Sequence, residues 1–181
     1  RVQSATKGNV LLRKRQYQLS DDESWSLHVA RLMIGGKIQN YRNILRRYIR
    51  DYGENENINR AVQVLEHAKR EALATQDKTT LIGYEGMASN AYFEVLPVLI
   101  LNQKADFPFH GRNRRPPKDA VNAMLSFAYT LIANDTSAAL ETVGLDPYVG
   151  FLHTLRPGRT SLALDMMEEL RAYLGDRFVL S

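Results

Sequence analysis

The sequence contains no cysteine among its 181 residues and no long apolar run. The missing cysteines exclude a disulfide framework and zinc sites built on thiolates, and they fit a reducing compartment such as the cytoplasm. No apolar stretch approaches the roughly 20 residues that a membrane-spanning helix needs. Hydrophobic residues still make up 44% of the chain, which is ordinary for a globular protein long enough to bury a core.

Positive charge is distributed unevenly along the chain. The formal net charge is only +4, but residues 1–50 carry eleven Lys or Arg against three acidic residues. A second basic cluster is the stretch HGRNRRPPK, residues 110–118. Clustered cations of this kind suit a phosphate backbone, and a solvated helix surface is the alternative explanation.

Apolar residues recur at steps of three and four along most of the chain, which predicts an all-α helical bundle. A capping box at Ser20–Glu23 opens a long helix that GENEN, residues 53–57, interrupts. A second helix covers residues 58–72. A third covers residues 80–101, and Pro97 is expected to bend or interrupt it.

The sequence of residues 106–137 predicts a loop followed by a helix. The stretch DFPFHGRNRRPPK, residues 106–118, is too rich in Pro, Gly and Arg to be helical. A helix is expected to start after Pro117. We expect it to break at ANDTS, residues 133–137, where Thr136 can cap a new helix.

The C-terminal part predicts two more helices. Asp146 and Pro147 suit the start of a short helix that ends at His153. After a turn at RPGR, Ser161 can cap the last helix and Gly175 can end it. Two pieces have a strand-like composition, VLLRKRQY at residues 10–17 and RFVL at residues 177–180.

Glu85 is an acid on an apolar helix face. It lies four residues after Leu81 and three before Ala88, and Gly83 and Gly86 flank it. Two helical glycines cost about 1 kcal/mol each relative to alanine, and a buried carboxylate is costly unless it is paired or binds a metal. The combination favours a place where a ligand approaches the backbone and the carboxylate. A structural glutamate paired with an arginine is the alternative.

The last predicted helix carries acids three residues apart. Asp165 and Glu168 share one face. The other face holds an apolar stripe made of Ala163, Met166, Met167, Leu170, Tyr173 and Leu174. Taken alone, the acids indicate a solvated surface and His153 indicates a core histidine. Together with Glu85, one imidazole and several carboxylates suit Mg²⁺ or Mn²⁺, and nearby arginines suit phosphodiester chemistry.

Three stretches resemble one known family. They are GYEGMASNAYF at residues 83–93, RNRRPPKDAVNAMLSFAYTLI at 112–132 and GLDPYVGFLHTLRPGRTSLALDMMEELR at 144–171. In this order they resemble the CRISPR-associated adaptation integrase, the first-numbered Cas family, and most closely its type I-C members. The resemblance runs from about residue 8 to the end. The first residue is not Met, and we expect a chain cut at both ends.

The resemblance implies a domain organisation and a set of site residues. Residues 1–19 are expected to be an interdomain segment after a β-rich domain that is absent from this chain, and residues 20–181 the helical catalytic domain without its last helices. The implied metal ligands are Glu85, His153 and Glu168, with Asp165 bonding a metal-bound water or a catalytic group. Glu168 stands where many members have Asp. The implied DNA contacts are Arg112, Arg114, Arg115 and Arg159, and the implied supporting residues are Asn122, Ser126 and Tyr129.

The resemblance also implies an activity. Members are metal-dependent DNA endonucleases and integrases of spacer acquisition, and they join protospacer 3′-hydroxyl ends to the repeat by transesterification with Mg²⁺ or Mn²⁺. Their partners are double-stranded DNA, a second copy of the chain, and the small ferredoxin-like second-numbered Cas protein. The adaptation nuclease of type I-C systems is a further partner. We therefore expect a cytoplasmic prokaryotic enzyme whose fragment is not fully active alone.

Two other functions are compatible with the same residues. A non-catalytic helical module that binds nucleic acid would use the arginines and leave Glu85 as a structural ion pair. A helical scaffold whose basic face docks an acidic partner is the other. Metal affinity separates the first from an enzyme, and the salt dependence of binding with DNA as competitor separates the second.

Overall fold

The computed structural model describes residues 9–181, and all regular secondary structure in this range is helical. This confirms the all-α prediction. The helices are α1 (Val10–Asp21), α2 (Glu23–Tyr52), α3 (Glu56–Ala74), α4 (Lys78–Leu99), α5 (Ala120–Thr142), α6 (Ser161–Leu170) and α7 (Arg177–Leu180), with a π-helical segment (Arg171–Asp176) joining α6 to α7.

The long helix α2 is the centre of the bundle. It packs against α3, α4, α6 and the π-helical segment. Its inward face is an apolar stripe at steps of three and four residues, as the periodicity predicts, and Ile34 and Ile38 are fully buried there. Tyr41 of α2 stacks on Tyr92 of α4 with ring centroids 3.9 Å apart. The periodicity of the first four predicted helices therefore identified their buried faces.

Short polar side chains begin the principal helices. The carboxylate of Asp22 accepts the N–H groups of Ser24 and Trp25 at the start of α2, and Asp77 and Asp119 cap α4 and α5 in the same way. The predicted capping box at Ser20 is wrong, because Ser20 lies inside α1 and its hydroxyl donates to the carbonyl of Gly150.

Both strand-like pieces are helical in the structure. VLLRKRQY lies in α1, where the Asn9 side chain caps the first turn, and RFVL forms α7. A short apolar run has too little periodicity to distinguish a strand from a helix, which explains the error. Residues 1–8 of the predicted interdomain segment lie outside the described residues. The division of the chain at residue 20 stays a prediction.

The predicted break at Thr136 and the predicted stop at Gly175 are both wrong. Helix α5 continues through Thr136, and its buried Leu140 packs beyond that point. Gly175 lies inside the π-helical segment, where a Cβ atom would stand 2.9 Å from Cε1 of Tyr129. This glycine permits close packing and does not end the helix.

Residues 143–160 form a loop and not the predicted short helix at Asp146. Gln16 of α1 takes the backbone groups that a helix would use internally. Its side chain donates to the carbonyls of Asp146 and Val149, each at 2.8 Å, and accepts the N–H of Asp146 at 2.9 Å. Competition from these long-range hydrogen bonds decides the local conformation.

Helix α6 buries its acids together with only part of the predicted apolar stripe, namely Ala163 and Met167. Asp165 is fully buried and Glu168 nearly so, whereas Met166 and Leu170 are substantially exposed. Ser161 does not cap the helix, because its hydroxyl reaches the carbonyl of Thr154 at 3.5 Å. The interpretation of the acids as a solvated surface is therefore wrong.

None of the helices in the described part of the chain is both long enough and apolar enough to cross a membrane.

Candidate metal and nucleic-acid site

Asp165 organises the loop that carries His153. Its Oδ2 accepts the backbone N–H groups of Phe151 and Leu152 at 2.6 and 2.9 Å. Its Oδ1 accepts the backbone N–H of His153 at 3.0 Å and lies 2.5 Å from Nδ1 of the same residue. An ionised carboxylate can only accept, so Nδ1 carries a proton and Nε2 is the nitrogen left for a ligand.

Glu85 lies on α4 with its side chain 25% exposed. One carboxylate oxygen, Oε1, accepts from the hydroxyl of Ser89 at 2.8 Å and from the ammonium group of Lys37. The space beside the neighbouring glycines is open, because a Cβ at Gly83 or Gly86 would meet no atom within 4 Å. The predicted pairing partner was an arginine, and the structure supplies a lysine.

Glu168 is the most enclosed of the three predicted metal ligands, with its side chain only 5% exposed. Its Oε1 pairs with the guanidinium of Arg171 at 3.1 Å, and Nζ of Lys37 lies 2.7 Å from Oε2. Burial alone would raise the pKa of Glu168, but Lys37 and Arg171 lower it below its ordinary value. Apart from this ion pair with Lys37, no donor among residues 9–181 bonds Oε2, so one lone pair of this buried oxygen stays open.

Lys37 forms an ion pair with each of the two glutamates. Its side chain is only 2% exposed, and its ammonium contacts Glu85 and Glu168. Burial acts to lower the pKa of Lys37, but Tyr41, Glu168 and Glu85 outweigh it and hold that pKa above its ordinary value. The sequence analysis counted Lys37 only within the basic N-terminal part of the chain.

The sequence contains a pattern that could have marked Lys37 as a buried site residue. It lies three residues after Ile34 and four before Tyr41, on the apolar face of α2. A charged residue on an apolar stripe is the same signal that singled out Glu85, and it applies to Lys37 unchanged.

The predicted ligands share one groove of about 810 Å³ with several arginines. Glu85, His153 and Glu168 line it from α4, the 143–160 loop and α6. The arginines that line it are Arg114, Arg115, Arg156, Arg159 and Arg171. Three of these were predicted to hold DNA, while Arg156 and Arg171 are additions that only the folded chain brings to the groove.

Arg112 faces the protein and not the groove. Its guanidinium donates to the side-chain oxygen of Asn122 at 2.8 Å and to the hydroxyl of Ser126 at 3.1 Å. Asn122 is fully buried and also donates to the carbonyl of Gly111 at 2.9 Å. Asn122 and Ser126 thus fasten the arginine-bearing loop to α5, as supporting residues would, and Arg112 takes part in that fastening.

Tyr129 connects this fastening to Glu168. The guanidinium carbons of Arg112 and Arg171 lie 5.4 and 5.1 Å from the centre of its ring, and Arg171 is the partner of Glu168. The hydroxyl of Tyr129 donates to buried Asp176 at 2.5 Å. Burial raises the pKa of Asp176 to about 6 although this hydrogen bond lowers it.

The predicted ligands fit a hard divalent cation in type, but they do not form a closed site as they stand. Among residues 9–181, no three His, Asp or Glu side chains converge closely enough to hold a metal ion. The donors are one imidazole nitrogen and two carboxylates, which suits Mg²⁺ or Mn²⁺. An imidazole fixed by a buried carboxylate and a buried glutamate oxygen with spare acceptor capacity also suit a metal.

Comparison with known proteins identifies the family. The sequence pattern of the family described as CRISPR associated protein Cas1 matches residues 1–181. The chain belongs to the Cas1 family. It is similar to the CRISPR-associated endonuclease Cas1 1 of Chlorobaculum tepidum, with 48% identity over 183 residues that cover 99% of this chain and 53% of that protein.

Solved structures share the fold of this Cas1-family chain. A Cas1 protein from Thermotoga maritima matches with a TM-score of 0.79 and 25% identity, over 96% of this chain and 52% of that one. A chain of a partial Cas6-RT-Cas1–Cas2 complex matches with a TM-score of 0.84 and 26% identity, over 99% and 52%. The chain therefore spans about half the length of these Cas1 relatives.

Proposed function

We propose that this chain is the catalytic domain of a divalent-metal-dependent DNA endonuclease and integrase of CRISPR spacer acquisition. The observation that carries the proposal is the groove in which Glu85, Glu168 and the Asp165-bound His153 stand beside several arginines. Carboxylates and an imidazole next to cations that fit phosphates are the groups that metal-assisted phosphodiester chemistry requires. Family membership and a relative named as an endonuclease support the same activity.

Glu85, Nε2 of His153 and Glu168 would hold the Mg²⁺ or Mn²⁺ ion. Such an ion would neutralise a non-bridging phosphate oxygen and stabilise the leaving alkoxide. Asp165 keeps the proton on Nδ1 of His153 and so directs the lone pair of Nε2 to the ligand position.

The arginines of the groove would hold the DNA strand. Arg114, Arg115 and Arg156 are exposed and Arg159 is half-buried, so their guanidinium groups can reach phosphates. Arg112 would act indirectly and would not contact the DNA, because it holds the loop that carries Arg114 and Arg115.

The proposed reaction exchanges one phosphodiester bond for another. The 3′-hydroxyl of a protospacer end attacks a phosphorus atom of the repeat strand. The new P–O bond forms as the bond to the leaving 3′-oxygen breaks, and the proton lost by the attacking hydroxyl is balanced by one taken up by the leaving oxygen. Water in place of the hydroxyl gives endonuclease cleavage.

The proposed partners are double-stranded protospacer and repeat DNA, a second copy of the chain and the second-numbered Cas protein. One similar structure is a chain of a complex whose name includes Cas2, which supports the last of these. The motif resemblance supports a type I-C member, with the adaptation nuclease of those systems as a further partner. The absence of cysteine supports a cytoplasmic location.

The test is strand joining by the complete protein with its second-numbered partner. A DNA end with a free 3′-hydroxyl is incubated with a repeat-containing plasmid in Mg²⁺, in Mn²⁺ and in a chelator. Glu85→Ala and His153→Ala are compared with Glu94→Ala and His110→Ala, which change exposed residues of the same types elsewhere. We expect joining that needs the metal and is lost only in the first two variants, with DNA binding kept.

Joining that survives Glu85→Ala or His153→Ala would refute the ligand assignment. DNA binding without joining in any metal would instead favour the non-catalytic nucleic-acid-binding module. Binding that an acidic protein partner abolishes and that DNA does not compete for would favour the scaffold.

A further inference from the structure

The proposed metal site already contains a cation that belongs to the protein. The ammonium of Lys37 contacts Oε1 of Glu85 and lies 2.7 Å from Oε2 of Glu168, so one charge serves both carboxylates. Its side chain is almost completely buried between α2, α4 and α6. A lysine in this position has no access to water and depends on these two acids for compensation.

The charges in this cluster balance without any added ion. Lys37 and Arg171 supply two positive charges, and Glu85 and Glu168 supply two negative ones. A divalent cation bound to the same carboxylates would stand next to the buried ammonium, and the two like charges would repel each other.

We propose that Lys37 is a built-in counter-cation that holds Glu85 and Glu168 together without metal and competes with the divalent ion for them. The inference rests on the proposed function, because it takes these glutamates as metal ligands. Metal binding would shift the ammonium away from at least one of the two carboxylates. The site thus stays assembled when empty, and its affinity for the metal is lowered.

Lys37 and not Arg171 is the competitor, for a geometric reason. Lys37 contacts both glutamates, so its ammonium occupies the position that an ion bridging them needs. Arg171 contacts only Oε1 of Glu168, and its guanidinium also lies over the ring of Tyr129. Arg171 can therefore keep its place while the metal uses Oε2 of Glu168.

The experiment measures Mn²⁺ binding and thermal unfolding of the complete protein, without DNA. Titration calorimetry with MnCl₂ compares wild type, Lys37→Met and Glu85→Ala. Lys69→Met is the matched control, because Lys69 is a partly buried lysine that donates to Gln39 and does not line the groove. Should Lys37→Met not fold, Lys37→Gln replaces it, since its amide still donates to a carboxylate but carries no charge.

We expect Lys37→Met to bind Mn²⁺ about tenfold more tightly than wild type or more, which corresponds to about 1.4 kcal/mol. Its melting temperature should be lowered in chelator and largely restored by saturating Mn²⁺, because the metal replaces the lost charge. Lys69→Met should bind Mn²⁺ like wild type.

Unchanged or weaker Mn²⁺ binding by Lys37→Met would overturn the inference, and it would make Lys37 a residue that positions the carboxylates in the loaded site. In that case, loss of Mn²⁺ binding in Glu85→Ala would still support the proposed metal site. No Mn²⁺ binding by wild type or by Lys37→Met would overturn the metal site and the inference together.

Discussion

Oδ1 of Asp165 lies 2.5 Å from Nδ1 of His153 and 3.0 Å from the backbone nitrogen of the same residue. One carboxylate oxygen therefore sets both the tautomer of the imidazole and the path of the chain that carries it. The other oxygen accepts two more backbone N–H groups, from Phe151 and Leu152. Asp165 acts on the candidate site through His153, as a positioning residue.

Asp165→Asn should weaken both the loop and the metal site. An amide has the same shape but presents a donor where the loop needs an acceptor, so we expect a loss of about 2–4 kcal/mol in the free energy of unfolding. We also expect Mn²⁺ affinity to fall about 10- to 100-fold, as for other residues that orient a ligating imidazole. Urea denaturation and Mn²⁺ titration measure the two effects, and exposed Asp135→Asn is the control. Unchanged Mn²⁺ affinity would limit Asp165 to a role in the loop.

Gly150→Ala should be destabilising for a steric reason. A Cβ at this position would stand 2.5 Å from Oδ2 of Asp165 and 2.8 Å from the backbone carbon of Ser161. Backbone atoms cannot move aside cheaply, so we expect a loss of about 1–3 kcal/mol in the free energy of unfolding. Gly83→Ala meets open space in α4 and should instead raise stability by up to about 1 kcal/mol. Equal effects of both substitutions in urea denaturation would contradict the prediction.

The arginines should separate into two classes when DNA binding is measured against salt. Arg114→Ala, Arg115→Ala and Arg159→Ala should each weaken binding for all sequences and reduce the slope of log K against log salt by about 1. Arg112→Met should mainly lower the melting temperature, because its guanidinium holds Asn122 and Ser126. Arg60→Ala serves as control, since Arg60 pairs with Glu56 on a different helix. A slope reduced by about 1 in Arg112→Met, with normal stability, would place Arg112 on the DNA.

Asp176 should make the protein less stable as the pH rises from about 4 to about 6. Burial raises its pKa from 3.8 to about 6 in the folded chain, so the folded state binds this proton more tightly than the unfolded state does. The contribution to stability is complete below pH 4 and is lost as the pH passes 6, with an upper limit of about 3 kcal/mol. Asp176→Asn removes the titrating group and can still accept from Tyr129.

The stability of Asp176→Asn relative to wild type should therefore increase over that pH range. Chemical denaturation of both proteins at pH 4, 5, 6 and 7 measures the difference. A constant difference would show that Asp176 does not titrate in this window.

Local patterns in the sequence were sufficient for the helices and for one member of the site. The apolar stripes of α2, α3, α4 and α5 identified the buried faces, because helical periodicity is a property of neighbours three and four residues apart. Glu85 stood out because it interrupts such a stripe. Lys37 interrupts the stripe of α2 in the same way, and the same reasoning would have found it.

Patterns of this kind failed where groups far apart in sequence compete for the backbone. The helix predicted at Asp146 does not form because Gln16 and Asp165 take the N–H and carbonyl groups of the 143–160 loop. The buried face of α6 was predicted only in part, for a related reason. Its acids are satisfied inside the protein by the loop amides, by His153 and by Lys37, so they share the inward face with Ala163 and Met167.

The sequence by itself thus determined an all-helical chain, its main buried faces, its basic segments and, through its motifs, its membership of the Cas1 family. Only the tertiary structure decided that Asp165 fixes His153, that Lys37 bridges Glu85 and Glu168, and that Arg112 faces inward. Helix formation depends on short-range spacing that one segment contains. The pairing of buried charges depends on which distant segments supply a partner, and no single segment contains that information.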